Sequence, residues 1–379
     1  MSKSFPRVLQ VLPALESGGV EKATYDWVKI LRQDHPMVPT FVASAGGRFV
    51  KPLEEWGCIH LTLPLTSKNP GRILWHAKRL ADFIHQNGIQ LVHARSRAPA
   101  WSALLATQWL KIPFLTTYHG VYNSHNRLKR FYNSVMARGD RVIAISAFVA
   151  NHIEQEHSTL HPNICTIPEG IDVDLFHPER VSADQVRQLR HEWGAPPDRA
   201  VILLPGRLTR WKGQEVLAKA IPLLPNKKIF VVFLGDDQGR TDYKKRVVEL
   251  TQGMPAAFIA NCPYMPAAYA AADVVLSCSI EPEAFGRITA EALSMGRPYI
   301  GTPLGATPEL CLDEKTGFLV PPGDYAALAQ KIDTVLSLPL ERKALLAQTA
   351  RDHIVHNFSL ARMATLTQQV YEETAYYSK

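Results

Sequence analysis

Short runs rich in β-branched residues alternate with helical patterns from residue 7 onward, pause near residue 178, and resume at residue 199. "RVLQVLPAL" (7–15) leads into "GGVEKATYDWVKILRQ", where Val20, Ala23, Trp27 and Leu31 share one helical face. "MVPTFVAS" (37–44), "IQLVHARS" (89–96), "PFLTTYHG" (113–120) and "RVIAIS" (141–146) repeat the strand pattern with helical stretches between them. After the pause, "AVILLPGR", "KIFVVFLGDD", "AFIANC", "DVVLSCS", "PYIGT" and "GFLVPPGD" do so again. Near-continuous apolar strands joined by helices predict parallel sheets covered on both faces, the α/β class. A chain of 379 residues also exceeds one ordinary core.

The expected organisation is therefore two Rossmann-like, doubly wound domains facing each other across a cleft, where the carboxyl ends of the strands hold ligands. The boundaries read as 1–178 for the first domain, a polar linker at 179–198 ending in Gly-Ala-Pro-Pro and Asp, and 199–357 for the second. The closing stretch, 358–379, reads as an amphipathic helix that packs back on the first domain.

Composition narrows the class further. No apolar run reaches the roughly 18 residues of a spanning helix, and the N-terminus lacks a signal-peptide h-region. The five cysteines, Cys58, Cys165, Cys262, Cys278 and Cys311, are scattered without a C-x-x-C pair. That pattern predicts a reducing, cytoplasmic setting with neither disulfides nor zinc. Net charge is +7, and residues 1–178 hold 19 Lys/Arg against 13 Asp/Glu. A basic first half suits a phosphorylated ligand, an acidic glycan or a membrane surface, or is simply a solvated basic surface. No nucleic-acid motif is present, so no nucleic-acid partner is expected.

Two stretches of the second half carry chemistry. In "PEAFGRITAEALSMG" (282–296), Glu283 lies in a loop beyond the strand "DVVLSCS", Gly286 sits near a helix start, and Glu291 lies about one turn into the helix. A helix start favours anions through its free N–H groups. Two carboxylates beside such a start make sense as acceptors for hydroxyls flanking a phosphate, a sugar on one side and a ribose on the other. In "LLPGRLTRWKGQE", Gly206, Arg207 and Lys212 sit where a strand turns into a helix. Both cations can reach a diphosphate and stabilise charge as it departs. The residues alone point to a nucleotide-sugar or phosphosugar site.

With "GATPEL" (305–310) and "GFLVPPGD" (317–324), these stretches resemble the retaining GT-B glycosyltransferases of family four, and the resemblance runs over essentially the whole chain. The E-x7-E pattern of that family falls on Glu283 and Glu291, and its G-R-x-x-x-x-K-G pattern on Gly206, Arg207, Lys212 and Gly213. The resemblance implies transfer of a hexose-type sugar from a UDP- or GDP-sugar to a glycan or glycolipid, with retention and without metal or other cofactor. It assigns the sugar hydroxyls to Glu283, the ribose to Glu291 and the diphosphate to Arg207 and Lys212. Ala284, Phe285 and Gly286 join the donor site; Gly18 and Gly19 form a glycine loop beside the donor. "TYHG" places His119 beside the reacting sugar, so the implied catalytic set is Glu283, His119, Arg207 and Lys212. A general-base role for His119 requires a near-neutral pKa. Ala284, Arg287, Glu169 and Asp237 depart from residues common in the family.

Arg95 and Arg97, just past a strand end, are read as facing an anionic acceptor. The stretch "NSHNRLKRFYNSVMARGD" (123–140) reads either as a basic amphipathic helix lying on an anionic membrane or as a domain helix with a solvated basic side. Together these suggest peripheral contact with the cytoplasmic face of an inner membrane and an envelope acceptor such as a lipopolysaccharide core. "DVD" (Asp172–Asp174) and "GDD" (Asp236, Asp237) read as turns rather than metal sites. The alternatives are a catalytically silent nucleotide-sugar or glycan-binding protein, and a Rossmann-type epimerase or dehydrogenase. The latter needs a G-x-G-x-x-G turn that "PALESGGVEK" lacks.

Overall fold

The computed structural model describes residues 5–16, 18–122, 126–225 and 228–377. Residues 123–125 of the basic stretch and 378–379 of the closing helix thus lie outside the described residues. The chain forms two compact units: Met1–Gly170 together with Leu360–Lys379, and Ile171–Ser359.

The first unit holds seven parallel strands: β1 (Val8–Val11), β2 (Thr40–Ser44), β3 (Cys58–Thr62), β4 (Leu91–Ala94), β5 (Phe114–Tyr118), β6 (Arg141–Ala144) and β7 (Ile164–Thr166). Their order is β3-β2-β1-β4-β5-β6-β7. Strands β1, β2, β4 and β5 are buried throughout, which explains their unbroken apolar character. β3 and β7 were not anticipated. They are the two edges, and their half-exposed residues leave no apolar run to read.

Leu360–Tyr377 belongs to this unit, where Ala364, Val370 and Tyr371 join a core with Phe5, Trp27 and Leu31. The Tyr371 and Trp27 rings meet edge to face, centroids 5.3 Å apart.

The second unit holds β8 (Ala200–Pro205), β9 (Ile229–Leu234), β10 (Ala256–Ile259), β11 (Val274–Leu276), β12 (Tyr299–Gly301) and β13 (Phe318–Leu319). All are parallel, in the order β10-β9-β8-β11-β12-β13.

The expected linker is corrected here. Ala183–Glu192 is a helix opened by a Ser182–Gln185 capping box, and it belongs to the second unit. Arg190 ties it down, donating to the Ala271 carbonyl at 2.8 Å and to Asp273 at 2.9 Å, while Trp193 is buried. Its polar face made the segment look like a connection. The divisions fall at 170/171 and 359/360 rather than at 178 and 357.

Among the described residues, no helix is long and apolar enough to cross a membrane.

Candidate active site

β8 and β11 are neighbours, yet β9 follows β8 on one side and β12 follows β11 on the other. Such a reversal opens a crevice at the carboxyl ends of the two strands. The loops leaving those ends, 206–213 and 277–286, carry the motifs of the second half.

The two loops touch because Gly213 has no side chain. At φ 72°, a Cβ there would lie 1.9 Å from the Cys278 carbonyl oxygen. The Ile280 N–H donates to the Trp211 carbonyl at 2.8 Å, fixing the approach. This geometry brings Lys212 onto Glu283, its Nζ donating to Oε1 at 2.8 Å and standing 4.3 Å from the Trp211 ring centroid. The side chains are only 10% and 13% exposed. The hydroxyls of Ser279 (2.5 Å) and Ser277 (3.4 Å) donate to the same oxygen. These three hydrogen bonds to the Glu283 carboxylate all fall on Oε1. Lys212 in turn keeps donors beyond the one directed at Glu283.

Glu283 is held at its backbone too. Its carbonyl accepts from the Ala306 N–H at 2.9 Å, and it bridges Gly305. Gly305 (φ 61°) is required, since a Cβ would come within 2.2 Å of the Glu283 carbonyl oxygen.

Glu291 is buried in the helix Arg287–Ser294. Its Oε2 accepts from the Tyr269 hydroxyl at 2.8 Å, and its Oε1 from Arg287 at 3.3 Å. Burial, with the Glu291 charge beside it, drives the Tyr269 phenol well above its usual range, so it remains a donor. The helix begins at Gly286 (φ 98°) with no side-chain cap. Phe285 is buried, and Ala284 is partly so. Arg207 is exposed; its carbonyl accepts from Gln214 Nε2 at 3.0 Å, which pins the loop.

In the first unit, Gly18 (φ 148°) and Gly19 are exposed at the uncapped start of the helix Gly19–Asp34, with open space around Gly19. His119 follows β5 and lines a cavity of about 20 Å³ with Arg95, Glu169 and Trp27. Its Nε2 is buried without a hydrogen-bond partner among the described residues. Burial, reinforced by the Arg95 charge, pushes its pKa down to about 3. The imidazole is neutral at pH 7 and a feeble base, which fits a hydrogen-bonding role better than proton abstraction.

The expectation that Arg95 faces an acceptor is corrected by its surroundings. It is 7% exposed, and its Nε donates to Gln10 Oε1 at 2.8 Å. Arg97 donates to Asn133 Oδ1 at 2.9 Å and stacks 4.2 Å from the Tyr122 centroid. Asp172 Oδ1 accepts from the Asp174 and Leu175 N–H groups, and Asp237 Oδ1 from Gly239, as turn residues do.

Sequence reasoning missed Tyr269, Ser277, Ser279 and Trp211. The two serines leave a trace, since "SCS" ends an otherwise apolar strand. Tyr269 leaves none, because it reaches Glu291 from a separate helix.

Comparison with known proteins identifies the family. The family model described as Glycosyltransferase Family 4 matches residues 17–175, and that of Glycosyl transferases group 1 matches residues 185–353. A crystal structure of a glycosyltransferase from Rickettsia africae ESF-5 is 35% identical, with TM-score 0.91, and the match covers 99% of this chain and 100% of that one. Anabaena Alr3699/HepE, solved in complex with UDP and glucose, superposes with TM-score 0.82 at 22% identity, covering 97% and 100%. The D-inositol 3-phosphate glycosyltransferase of Xylanimonas cellulosilytica is 29% identical over 287 residues, 69% of this chain and 66% of that one. The chain belongs to the group 1 glycosyltransferases and has their two-domain α/β GT-B fold.

Proposed function

We propose that this glycosyltransferase moves a hexose-type sugar from a UDP- or GDP-sugar to a glycan or glycolipid acceptor, with retention and without a metal ion. The observation that carries the reading is the Lys212–Glu283 pair. One loop contact seats a cation for a diphosphate and, 2.8 Å away, a carboxylate that can accept from sugar hydroxyls. The UDP held by Alr3699/HepE supports a nucleoside diphosphate donor. Arg207, Lys212 and the uncapped helix start stabilise the departing diphosphate. The sugar C1–O bond breaks, the acceptor oxygen bonds to C1 on the same face, and the acceptor proton passes to the leaving phosphate. Glu291 binds the ribose, and Ala284, Phe285 and Gly286 shape the donor pocket. Gly18, Gly19 and His119, in the first unit, enter on the resemblance alone.

Calorimetric titration with UDP, GDP and ADP, with and without magnesium, tests the reading. One nucleotide is expected to bind tightly and indifferently to magnesium. A strict magnesium requirement rejects metal independence. Binding without transfer or slow sugar hydrolysis favours a silent nucleotide-sugar binder.

A peripheral contact with an anionic membrane, and with it an envelope glycolipid acceptor such as a lipopolysaccharide core, draws support from the helix Arg127–Asn133. Leu128 (83% exposed) and Phe131 (59%) stand out from it, and it also carries Arg127, Lys129 and Arg130. Co-sedimentation with anionic but not zwitterionic vesicles is the expected result, and equal recovery with both rejects it.

A further inference from the structure

Tyr269 lies on the helix Met265–Ala271 and is fully buried, yet its hydroxyl ends on a charged group of the donor site, donating to Glu291 Oε2 at 2.8 Å. The other oxygen of that carboxylate accepts from Arg287 at 3.3 Å. Arg287 stands four residues earlier on the same helix and pairs along its surface, as residues at that spacing do. Alone, it would let the carboxylate pivot about Oε1. A second donor, from a separate helix and on the opposite oxygen, fixes the plane of the group. A carboxylate offers about four acceptor positions, so these two hydrogen bonds do not exhaust it.

The phenol is itself held from behind. The buried Phe176 ring meets the Tyr269 ring edge-on, centroids 6.0 Å apart. The Phe176 carbonyl accepts from Ser294 Oγ at 2.8 Å and from Arg351 at 3.0 Å. Ser294 closes the helix that carries Glu291, and Arg351 also donates to the Ser294 carbonyl at 2.8 Å. The phenol and its backing ring are thus anchored to the same helix as the carboxylate they serve. Core packing accounts for a ring at 269 but not for its hydroxyl, since phenylalanine would fill the space with no buried O–H to satisfy.

We propose that Tyr269 is a positioning residue for nucleotide recognition: its hydroxyl holds the Glu291 carboxylate in the orientation that accepts from the donor's ribose hydroxyls, and so sets a preference for ribonucleotides. The inference rests on the ribose reading of Glu291. Tyr269 acts through Glu291, and Phe176 acts through Tyr269. Removing the phenol hydroxyl therefore weakens the ribose contact and leaves the diphosphate contacts of Arg207 and Lys212 in place.

The test is calorimetric titration of the full chain with UDP and GDP, each against its 2′,3′-dideoxy form, read on the base that binds. Wild type is expected to prefer the ribose form, and Glu291→Ala to bring the two affinities together. Tyr269→Phe is expected to bind the ribose form about tenfold more weakly and the dideoxy form as wild type does. Should Tyr269→Phe not fold, Phe176→Leu decides. It removes the edge contact, keeps the hydroxyl, and should cut the ribose preference about threefold. A collapse of the preference in Glu291→Ala but not in Tyr269→Phe (or its substitute) overturns the positioning role alone. An equal loss for both forms in Tyr269→Phe makes the residue structural only. If wild type binds neither base or shows no ribose preference, or if Glu291→Ala keeps that preference, the ribose reading falls and the inference with it.

Discussion

Lys212 and Glu283 are 71 residues apart and share one hydrogen bond, so each variant reports on both. Lys212→Ala removes a cation from the diphosphate and a donor from Glu283. It should lower kcat by about 100-fold or more, a barrier increase of ~2.7 kcal/mol; a wild-type rate would remove the diphosphate assignment. Ser279→Ala separates the two roles. It frees Glu283 to rotate while leaving the phosphate cations in place, so kcat should fall about tenfold with UDP affinity unchanged. Weakened UDP binding with normal kcat would contradict that separation. The residues of this site were legible because strand-to-helix junctions bearing Gly, Arg, Lys and Glu stand out from apolar strands. Their pairing was not, because it depends on the 1.9 Å constraint at Gly213, which belongs to tertiary structure. Arg95 misled for the same reason: a cation past a strand end looks exposed until Gln10 and Tyr371 are seen around it.

At the scale of elements, the helix Leu360–Tyr377 is tied to the first sheet through a buried phenol, with an Arg141–Glu373 pair at its surface. The Tyr371 hydroxyl accepts from Gln10 Nε2 at 2.7 Å and lies 2.6 Å from His93 Nδ1, whose other nitrogen is 2.6 Å from Thr117 Oγ1. Tyr371→Phe keeps the ring packing and strands these buried groups, costing about 1–3 kcal/mol in urea unfolding. A loss within the ~0.5 kcal/mol typical of surface substitutions would show that the network contributes nothing. The same region sets an acid limit. Burial lowers His93 and, with Arg95, takes His119 from 6.5 to about 3. The native state therefore favours the neutral rings. For His119 that stabilisation is complete above pH 6.5 and is lost as pH falls toward 3, by up to about 1.4 kcal/mol per pH unit. His119→Gln should flatten the fall in unfolding free energy between these pH values, and an unchanged slope would exclude His119 as a cause. Buried strands and amphipathic helices could be read from periodicity alone. The edge strands β3 and β7 could not, since an edge need not be apolar, and Ala183–Glu192 hid behind a polar outer face.

For the whole molecule, chain continuity differs between the units. Ile171–Ser359 is one uninterrupted segment with its own core, running from Ile202 and Leu204 through Phe233 and Leu276 to Ile332 and Leu346. The first unit is built from two segments, because its core takes Ala364, Val370 and Tyr371 from the end of the chain. Charge and composition do not reveal this asymmetry; the amphipathic pattern of the last helix, read as packing back on the first domain, does. Residues 171–359 expressed alone should therefore unfold cooperatively and, because Lys212, Glu283, Glu291 and Tyr269 all lie within them, retain measurable nucleotide binding. A chain ending at Ser359 should keep that transition while losing stability elsewhere, as Trp27, Leu91 and Ile143 lose the helix that covers them. Tyr371 alone withdraws a full side chain from this core, and removing a large aromatic from a core typically costs about 3–5 kcal/mol. Calorimetry of the full and shortened chains, with and without UDP, distinguishes the two units: UDP should raise the transition that survives truncation. If truncation leaves both transitions in place, the helix is an accessory rather than part of the first core. If it abolishes both, the second unit cannot fold by itself, and the assignment of donor binding to an autonomous unit falls with it.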